Sequence, residues 1–461
     1  MSQGIGLALS GGGSRAAAFH RGTLKGIREV GLLDAVDTVS TVSGGSLFGA
    51  AWMAAIARGE SLDTFLNNMR YELSLGFVSR AMGPRLLLTA WPGYTRTNLV
   101  ASALDRVFFR KLTLGQLPDQ PKLCINVTVM NSGQVGKFGK KGFKSVGLVP
   151  PGSREFSEWI GLPEFRLALA TAASAAFPVG LPPVYLKRGR EIPEGWGASA
   201  GLEDQRLFAL TDGGVLENLG IQNLLNAESE FCTWDIISSD ASARDAAWAP
   251  GGAKARLRGL LMGALSAPVL ERVSVLMNDK EDRHTRHHAV EEERRSRLVE
   301  ALRSPATAAG AEMRALLGHQ PERPRRKLLM VRLSQDWGHF ISRIPEWRLK
   351  GLAESFQVRT RTLPPPMPHA DDLKGKEDFL DAVGLNLSVP KAIYRSLGGD
   401  SRVAELNRIG TNLTPILEPD LDSLFDHARW QVHALYQIYW RDTSESEAEA
   451  ERAEAYAGKE A

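Results

Sequence analysis

Short apolar runs that end in glycine-rich turns characterise the first half of the chain. Residues 4–9 form a continuous apolar run, which is typical of a buried parallel strand. A helical pattern follows over residues 16–30, and Gly31 is suited to end that helix. Residues 38–42 form a β-branched run that predicts a second strand, and an apolar helical pattern begins at residue 46. This alternation of strand and helix predicts an α/β fold.

The remaining apolar patterns extend the same sheet. Four more strands are predicted, at residues 122–130, 207–211, 235–240 and 327–333. Between the first two of these, residues 165–178 form a helix of small side chains that ends at Phe177-Pro178. Small side chains predict a close approach of this helix to the sheet or to another backbone. The predicted architecture has three layers, α/β/α, around a central and mainly parallel sheet.

Charge patterning divides the chain into four parts. We predict a core at residues 1–245, a charged helical insert at 246–327, and a return strand with helices of the same domain at 328–442. The Ala/Glu-rich tail at 443–461 has the composition of a disordered segment. The insert carries His284, His287 and His288, but no His-Glu-x-x-His motif accompanies them. We interpret these histidines as part of a solvated helix face and predict no metal site.

Composition restricts the function classes. The chain has 461 residues, 43% hydrophobic and 24% charged, as in a soluble globular protein, and its net charge of +3 does not indicate a nucleic acid partner. Cys124 and Cys232 have no metal-ligand spacing and are interpreted as free thiols in a reducing compartment. No signal peptide is recognisable, and Pro268 interrupts the best apolar run, 259–270. We predict a cytoplasmic protein whose membrane contact is peripheral.

A basic hairpin is the one segment that suggests such a contact. Residues 136–144 are rich in glycine and lysine. The segment is either a solvated loop or a surface that contacts anionic lipid. Its lysines are Lys137, Lys140, Lys141 and Lys144.

The strand at residues 38–42 ends at a serine that is followed by two glycines. Ser43, Gly44 and Gly45 stand between this strand and the helical pattern. Strand, serine, glycine and helix in this order match a nucleophile elbow, which exposes a serine hydroxyl above a sheet. The alternative is an ordinary turn in which the serine caps the helix.

The first strand ends in a loop of three adjacent glycines. Gly11, Gly12 and Gly13 precede Ser14 and Arg15, so several backbone N–H groups lie near a helix N-terminus. Such a loop can bind a nucleotide phosphate, form an oxyanion hole, or be only a tight turn. Its glycine spacing differs from both the P-loop and the dinucleotide-binding pattern, and it suits the approach of several donors to one oxygen.

A third glycine-flanked site follows the strand at 207–211, where Asp212 precedes Gly213 and Gly214. In a parallel sheet the carboxyl ends of the strands share one edge, so we expect this aspartate near Ser43 and the glycine loop. Acyl transfer requires a nucleophile, a base and donors for an oxyanion. The three sites supply one of each.

The ordered combination of these motifs resembles the patatin-like phospholipases over residues 4–241. The Ser-Gly-Gly-Ser form is similar to the elbow of the cytosolic phospholipase A2 and lysophospholipase variants. The resemblance implies that Ser43 attacks an ester carbonyl and that Asp212 takes the proton without a histidine. It implies an oxyanion hole of N–H groups from Gly11, Gly12 and Gly13, with Arg15 fixing the loop or adding positive potential. Supporting glycines are Gly44, Gly45, Gly213 and Gly214.

The resemblance also implies a substrate and a location. The expected substrate is a phospholipid or lysophospholipid, cleaved at an acyl ester with no cofactor and no metal. The protein would then associate transiently with membranes.

The elbow departs from the usual Gly-x-Ser-x-Gly pattern because Thr41 occupies the first position, where a β-branched residue crowds the turn. The register is therefore open, since Ser46 also follows glycines. Ser46 has Gly44 before it but Phe48 two residues after it, so Ser43 is the better candidate.

Three other functions stay open. An α/β-hydrolase would use a Ser-His-Asp triad, with His339 as its histidine, but only one strand and one helix precede Ser43. A nucleotide-binding protein would use the glycine loop and leave Ser43 and Asp212 without a role. A catalytically inactive relative would bind lipid only.

Overall fold

The computed structural model describes residues 2–76, 78, 94–178, 180–242, 327–410 and 413–440. Residues 246–326 of the predicted insert, with His284, His287, His288 and the apolar run at 259–270, lie outside the described residues. The same holds for the tail at 443–461. The domain boundaries therefore stay predictions.

In the described part of the chain, ten strands form one sheet. Their bounds are β1 Ser2–Leu9, β2 Val36–Val42, β3 Lys122–Val129, β4 Gln134–Gly139, β5 Gly142–Ser145, β6 Ile160–Gly161, β7 Val184–Lys187, β8 Leu207–Asp212, β9 Thr233–Asp240 and β10 Leu328–Arg332.

The α-helices connect the strands and form a carboxyl-terminal group. Their bounds are α1 Gly13–Glu29, α2 Gly44–Ala57, α3 Leu62–Leu75, α4 Arg96–Leu104, α5 Leu167–Ser174, α6 Gln222–Leu225, α7 Trp337–Ser342, α8 Glu346–Thr360, α9 Leu373–Ala382, α10 Ser388–Leu397, α11 Gly399–Leu406 and α12 Glu418–Leu435.

The sheet has the order β10-β9-β1-β2-β3-β4-β5-β6, and β8 pairs with both β3 and β7. The five strands from β10 to β3 are parallel to one another. All pairs beyond β3 are antiparallel. The predicted α/β fold with flanking helices is confirmed, and its sheet is a parallel half extended by an antiparallel half.

Both faces of the parallel half are covered. On one face, side chains such as Leu7, Val39 and Ile237 are fully or almost fully buried in the main core with α1, α2 and the carboxyl-terminal helices. On the other face, Ala8 and Ile236 pack against a smaller apolar cluster from residues 219–224. Residues 5–9 of β1 and 236–240 of β9 are buried without interruption, as expected for strands covered on both faces.

The carboxyl-terminal helices pack directly on the first half of the chain. Helix α12 lies along α1, and a Cβ atom at Gly22 of α1 would come within 1.9 Å of the Phe425 carbonyl oxygen. Only a glycine permits this approach, so α1 is enclosed between the sheet and α12. Among the described helices, none is both long and apolar enough to cross a membrane.

Candidate active site

Ser43 occupies a strained turn between β2 and α2. Its backbone angles are φ 50° and ψ −117°, a conformation that non-glycine residues rarely adopt and that costs about 1–3 kcal/mol. Its side chain accepts no hydrogen bond from the first turn of α2, so the helix-cap alternative is wrong. Ser43 is half-buried, whereas Val42 and Gly44 beside it are buried.

Asp212 meets Ser43 because of the registers along one edge of β3. Val42, the last residue of β2, pairs with Asn126, and Asp212, the last residue of β8, pairs with the next residue, Val127. The ends of β2 and β8 therefore abut, and the Ser43 side chain lies close enough to the Asp212 carboxyl to affect its pKa. The expectation that parallel strands bring them together is wrong, because β8 runs antiparallel to β3 and approaches from the opposite direction.

The environment of the Asp212 carboxyl disfavours its ionised form. Only 3% of the residue is exposed. Burial raises its pKa to about 6, although hydrogen bonds from the Ser43 hydroxyl and the Gly214 N–H partly oppose this rise. The Gly214 N–H lies 2.8 Å from Oδ1 and fixes the carboxylate at the end of β8. The result is a buried carboxylate with one oxygen held by backbone and a hydroxyl as its neighbour.

The glycine loop lies directly against the elbow. A Cβ atom at Gly44 would be 2.3 Å from the Gly13 carbonyl oxygen, so a glycine is required where the two turns touch. Gly12 and Gly13 have φ angles of 136° and 60°. Their N–H groups have no hydrogen-bond acceptor among the described residues and lie at the start of α1. They are the donors that the loop can offer to an oxygen beside Ser43.

Gly11 does not contribute such a donor. Its N–H donates to the Asn218 carbonyl oxygen at 2.9 Å, so the prediction of a Gly11 donor is wrong. A Cβ atom at Gly11 would also come within 2.1 Å of Asn218 Oδ1. Gly11 is needed for close packing against the segment that follows Asp212, and this packing links the loop to the aspartate turn.

Residues 7–225 match the family model described as patatin-like phospholipase, and this range contains the glycine loop, the elbow and Asp212. Residues 7–225 form a patatin-like phospholipase domain. No curated protein matches the chain. The chain also has structural similarity to human GIVD cytosolic phospholipase A2, at 15% identity and a TM-score of 0.36, covering 57% of this chain and 48% of that one. The chain thus spans about half the length of that enzyme.

Two further solved structures are similar at low identity. One is the same human enzyme in complex with methyl γ-linolenyl fluorophosphonate, at 22% identity and a TM-score of 0.27, with 37% of this chain and 28% of that chain covered. The other is VipD from Legionella pneumophila, at 12% identity and a TM-score of 0.29, with 96% of this chain and 94% of that chain covered.

Arg15 anchors the glycine loop of the patatin-like domain from behind. It is 2% exposed, and its guanidinium donates to the carbonyl oxygens of Ile409 at 2.6 Å and Ala241 at 2.9 Å. Burial lowers its pKa to about 10, which leaves it charged at neutral pH. Of the two roles predicted for Arg15, this geometry favours fixing the loop, because both amino groups are used by backbone carbonyls.

Ser46 lies beneath the elbow. It is fully buried, and its hydroxyl donates to Thr41 Oγ1 at 2.9 Å and lies 2.8 Å from Ser174 Oγ. The crowding expected from Thr41 is relieved by Gly49, where a Cβ atom would be 2.5 Å from the Thr41 methyl group. The geometry favours Ser43 over Ser46 as the reactive hydroxyl.

A histidine triad has no counterpart in the part of the chain that the structure describes. No histidine there hydrogen-bonds to Ser43 or Asp212. The His339 side chain is 65% exposed and its Nδ1 contacts Asp336 at 2.8 Å. His20 is buried and holds the end of β1, with Nε2 2.9 Å from the Ser10 carbonyl oxygen. Among the described residues, no cluster of three or more His, Cys, Asp or Glu side chains could hold a metal ion.

Two of the four lysines of the basic hairpin, formed by β4 and β5, are paired with acidic residues of the protein itself. Lys140 and Lys141 form ion pairs with Asp119 and Glu230. Lys137 donates to Asn223 Oδ1 at 2.9 Å, and Lys144 lies opposite it across the hairpin. These contacts favour the solvated-loop interpretation over a cluster of four cations that faces lipid.

Two residues at the site were not singled out from the sequence. Ser174 hydrogen-bonds to the Ser43 backbone, and the Asn218 carbonyl receives the Gly11 N–H. The small-residue pattern of α5 gave a signal for close packing at Ser174, but not for a hydroxyl that contacts the elbow. Asn218 gave no signal, because its contact is made by the backbone.

Proposed function

We propose that the protein is a lipid acyl hydrolase of the phospholipase A or lysophospholipase type, with Ser43 as nucleophile and Asp212 as its base. One observation carries the proposal. A half-buried serine on a strained turn lies beside a buried carboxylate whose pKa is raised to about 6. Membership of residues 7–225 in a family of lipid acyl hydrolases supports the substrate class.

The first half of the reaction forms an acyl-enzyme. Ser43 Oγ attacks the ester carbonyl carbon and its proton passes to the Asp212 carboxylate. The negative charge that forms on the carbonyl oxygen is stabilised by the N–H groups of Gly12 and Gly13. Loss of one such donor typically costs about a hundredfold to a thousandfold in rate. When the ester C–O bond breaks, the departing alcohol oxygen of the lipid takes the proton from Asp212.

The second half releases the fatty acid. After the alcohol has left, Asp212 is ionised again. A water molecule then attacks the acyl carbon on Ser43 and gives a proton to the Asp212 carboxylate. Collapse of this second intermediate breaks the bond to Ser43 Oγ, and the proton on Asp212 returns to that oxygen. The dyad ends in its starting state, and no cofactor enters the balance.

Burial makes an aspartate effective in this role. A carboxylate with an ordinary pKa of 3.8 is a weak base, whereas a pKa of about 6 lies closer to the operating pH. At neutral pH the group is still mostly ionised and ready to accept a proton. Proton transfer also removes the charge from a site that disfavours it, so the cost of desolvation is relieved as the transition state forms.

The proposal includes a substrate that is presented at a lipid surface. A phospholipid or lysophospholipid fits the family, and its presentation in a bilayer implies transient peripheral contact. The basic hairpin contributes little to this contact, since Lys140 and Lys141 are paired on the protein.

Kinetics of four proteins test the proposal: wild type, Ser43→Ala, Ser46→Ala and Asp212→Asn. Each is assayed with a short-chain chromogenic ester and with phospholipid vesicles. We expect Ser43→Ala and Asp212→Asn to lose about 10⁴-fold or more in kcat, by analogy with other nucleophile and base deletions. Ser46→Ala should stay within about tenfold of wild type, because its hydroxyl only supports the elbow.

Two results would contradict the proposal in different ways. Full activity of a folded Ser43→Ala variant excludes Ser43 as the nucleophile. Hydrolysis of the soluble ester without hydrolysis of vesicles or of lysophospholipid micelles excludes a lipid substrate and leaves an esterase.

A further inference from the structure

The end of α5 lies between the two members of the proposed dyad. Ser174, the last residue of α5, places its hydroxyl oxygen 3.0 Å from the Ser43 backbone nitrogen and accepts that N–H. The same hydroxyl donates to the Asn126 carbonyl oxygen of β3 at 2.6 Å. Ser174 is fully buried. One side chain thus connects the elbow to the strand beside it.

The backbone just after Ser174 contacts Asp212, the other member of the proposed dyad. The Ala176 carbonyl oxygen accepts the Asp212 N–H at 3.1 Å and the Thr211 hydroxyl at 2.6 Å. Ser174 and Ala176 are two residues apart in one tight turn. The relative position of Ser43 and Asp212 is therefore fixed through this turn as well as through the sheet.

Ser43 needs such a contact because its backbone is strained. At φ 50° the residue has left the ladder of β2 and has not yet entered α2, so its N–H has no partner in regular structure. An unpaired N–H beside the sheet would be destabilising and would favour relaxation of the turn. The Ser174 hydroxyl accepts this N–H at 3.0 Å and so satisfies the donor.

We propose that Ser174 is a positioning residue for acyl transfer, whose hydroxyl holds the Ser43 backbone so that Ser43 Oγ stays within hydrogen-bond reach of Asp212. This inference rests on the function proposed above. Ser174 acts through Ser43, and its own hydroxyl is occupied by Ser43, Ser46 and Asn126.

The variant Ser174→Ala tests the inference in the full chain. A reacting group misplaced by about 1 Å can lose about a hundredfold in rate. We therefore expect kcat on the soluble ester to fall about 10- to 100-fold, with KM within about twofold of wild type. The rate of covalent labelling by a fluorophosphonate should fall in parallel, because it reports the reactivity of Ser43 without a water-dependent step.

The pH profile separates positioning from a structural role. The hydrogen bond from Ser43 lowers the pKa of Asp212, in opposition to burial. If Ser174→Ala weakens that bond, the acidic midpoint of the kcat/KM profile should shift to higher pH. A simple loss of folded protein would lower the rate equally at all pH values and leave the midpoint unchanged.

Thr171 provides a matched control on the same helix. It is fully buried, and its hydroxyl has no hydrogen-bond partner among the described residues. Thr171→Val should leave kcat and the pH midpoint within error of wild type. Ser174→Cys serves if the alanine variant does not fold, since the thiol fills the space but is a weak acceptor, and the same loss of kcat is expected.

Wild-type kcat and an unshifted pH midpoint in folded Ser174→Ala or Ser174→Cys would overturn the inference. An equal loss in Thr171→Val would also overturn it, because any disturbance of α5 would then suffice. Failure of the proposed function would be seen in a different result, namely that Ser43→Ala retains activity. That result does not depend on the activity of the Ser174 variants.

Discussion

The ionised form of Asp212 should destabilise the folded protein, and Asp212→Asn should restore the lost stability. The carboxyl has a pKa of about 6 in the folded protein against an ordinary value of 3.8. One pKa unit is equivalent to 1.36 kcal/mol, so the ionised group destabilises the folded state by about 3 kcal/mol at neutral pH. Asparagine carries no charge and can still accept the Gly214 N–H.

The sign of the pH dependence follows from the raised pKa. As pH rises from about 4 to about 6, the carboxyl of the unfolded chain loses its proton while that of the folded protein keeps it. Over this interval wild type loses stability relative to the variant. Above about pH 7 both states are ionised, and the difference between the two proteins becomes constant.

Urea unfolding of wild type and Asp212→Asn at pH 4.5, 6.0 and 7.5 measures this difference. We expect the variant to gain about 2 kcal/mol relative to wild type between the lowest and the highest pH, while it loses esterase activity. A difference that does not change with pH, or that changes in the opposite direction, would refute the argument that burial raises the pKa of Asp212.

Three further predictions concern the elbow, the triad alternative and catalytic pH dependence. Gly49→Ala should destabilise the protein, because the new Cβ would be 2.5 Å from the Thr41 methyl group. In a double-mutant cycle, Thr41→Ser removes that methyl group and should restore most of the lost stability. Additive losses of stability would contradict the contact. His339→Ala should keep wild-type kcat on the soluble ester, since this side chain is exposed and contacts Asp336; loss of activity with an intact fold would revive the triad. In wild type, kcat/KM should fall as pH drops through about 6, where Asp212 is protonated, and a profile that is flat down to pH 5 would exclude it as the base.

Local patterns predicted the parts of the site that depend on local structure. The β-branched run before Ser43 and the glycines after it specify a strand end followed by a tight turn, so the position of the turn could be predicted from neighbouring residues. The fold class followed from apolar runs for the same reason. These features require only neighbours in sequence.

Tertiary register explains what the sequence did not reveal. Asp212 reaches Ser43 because β8 runs antiparallel along the free end of β3, and nothing in residues 207–212 indicates direction. Gly11 loses its donor to the Asn218 carbonyl, a backbone partner more than 200 residues away. The crowding expected from Thr41 is relieved by Gly49, a residue of α2 that contacts it only once the helix has packed on the strand.

The central claim is that Ser43 is the nucleophile, and covalent labelling tests it most directly. The protein is treated with a fluorophosphonate, digested, and mapped by mass spectrometry, with Ser43→Ala and Ser46→Ala as controls. We predict one adduct on the peptide that contains Ser43, retained in Ser46→Ala and absent from Ser43→Ala. An adduct on Ser46 or on another residue, or labelling that persists in Ser43→Ala, would contradict the account.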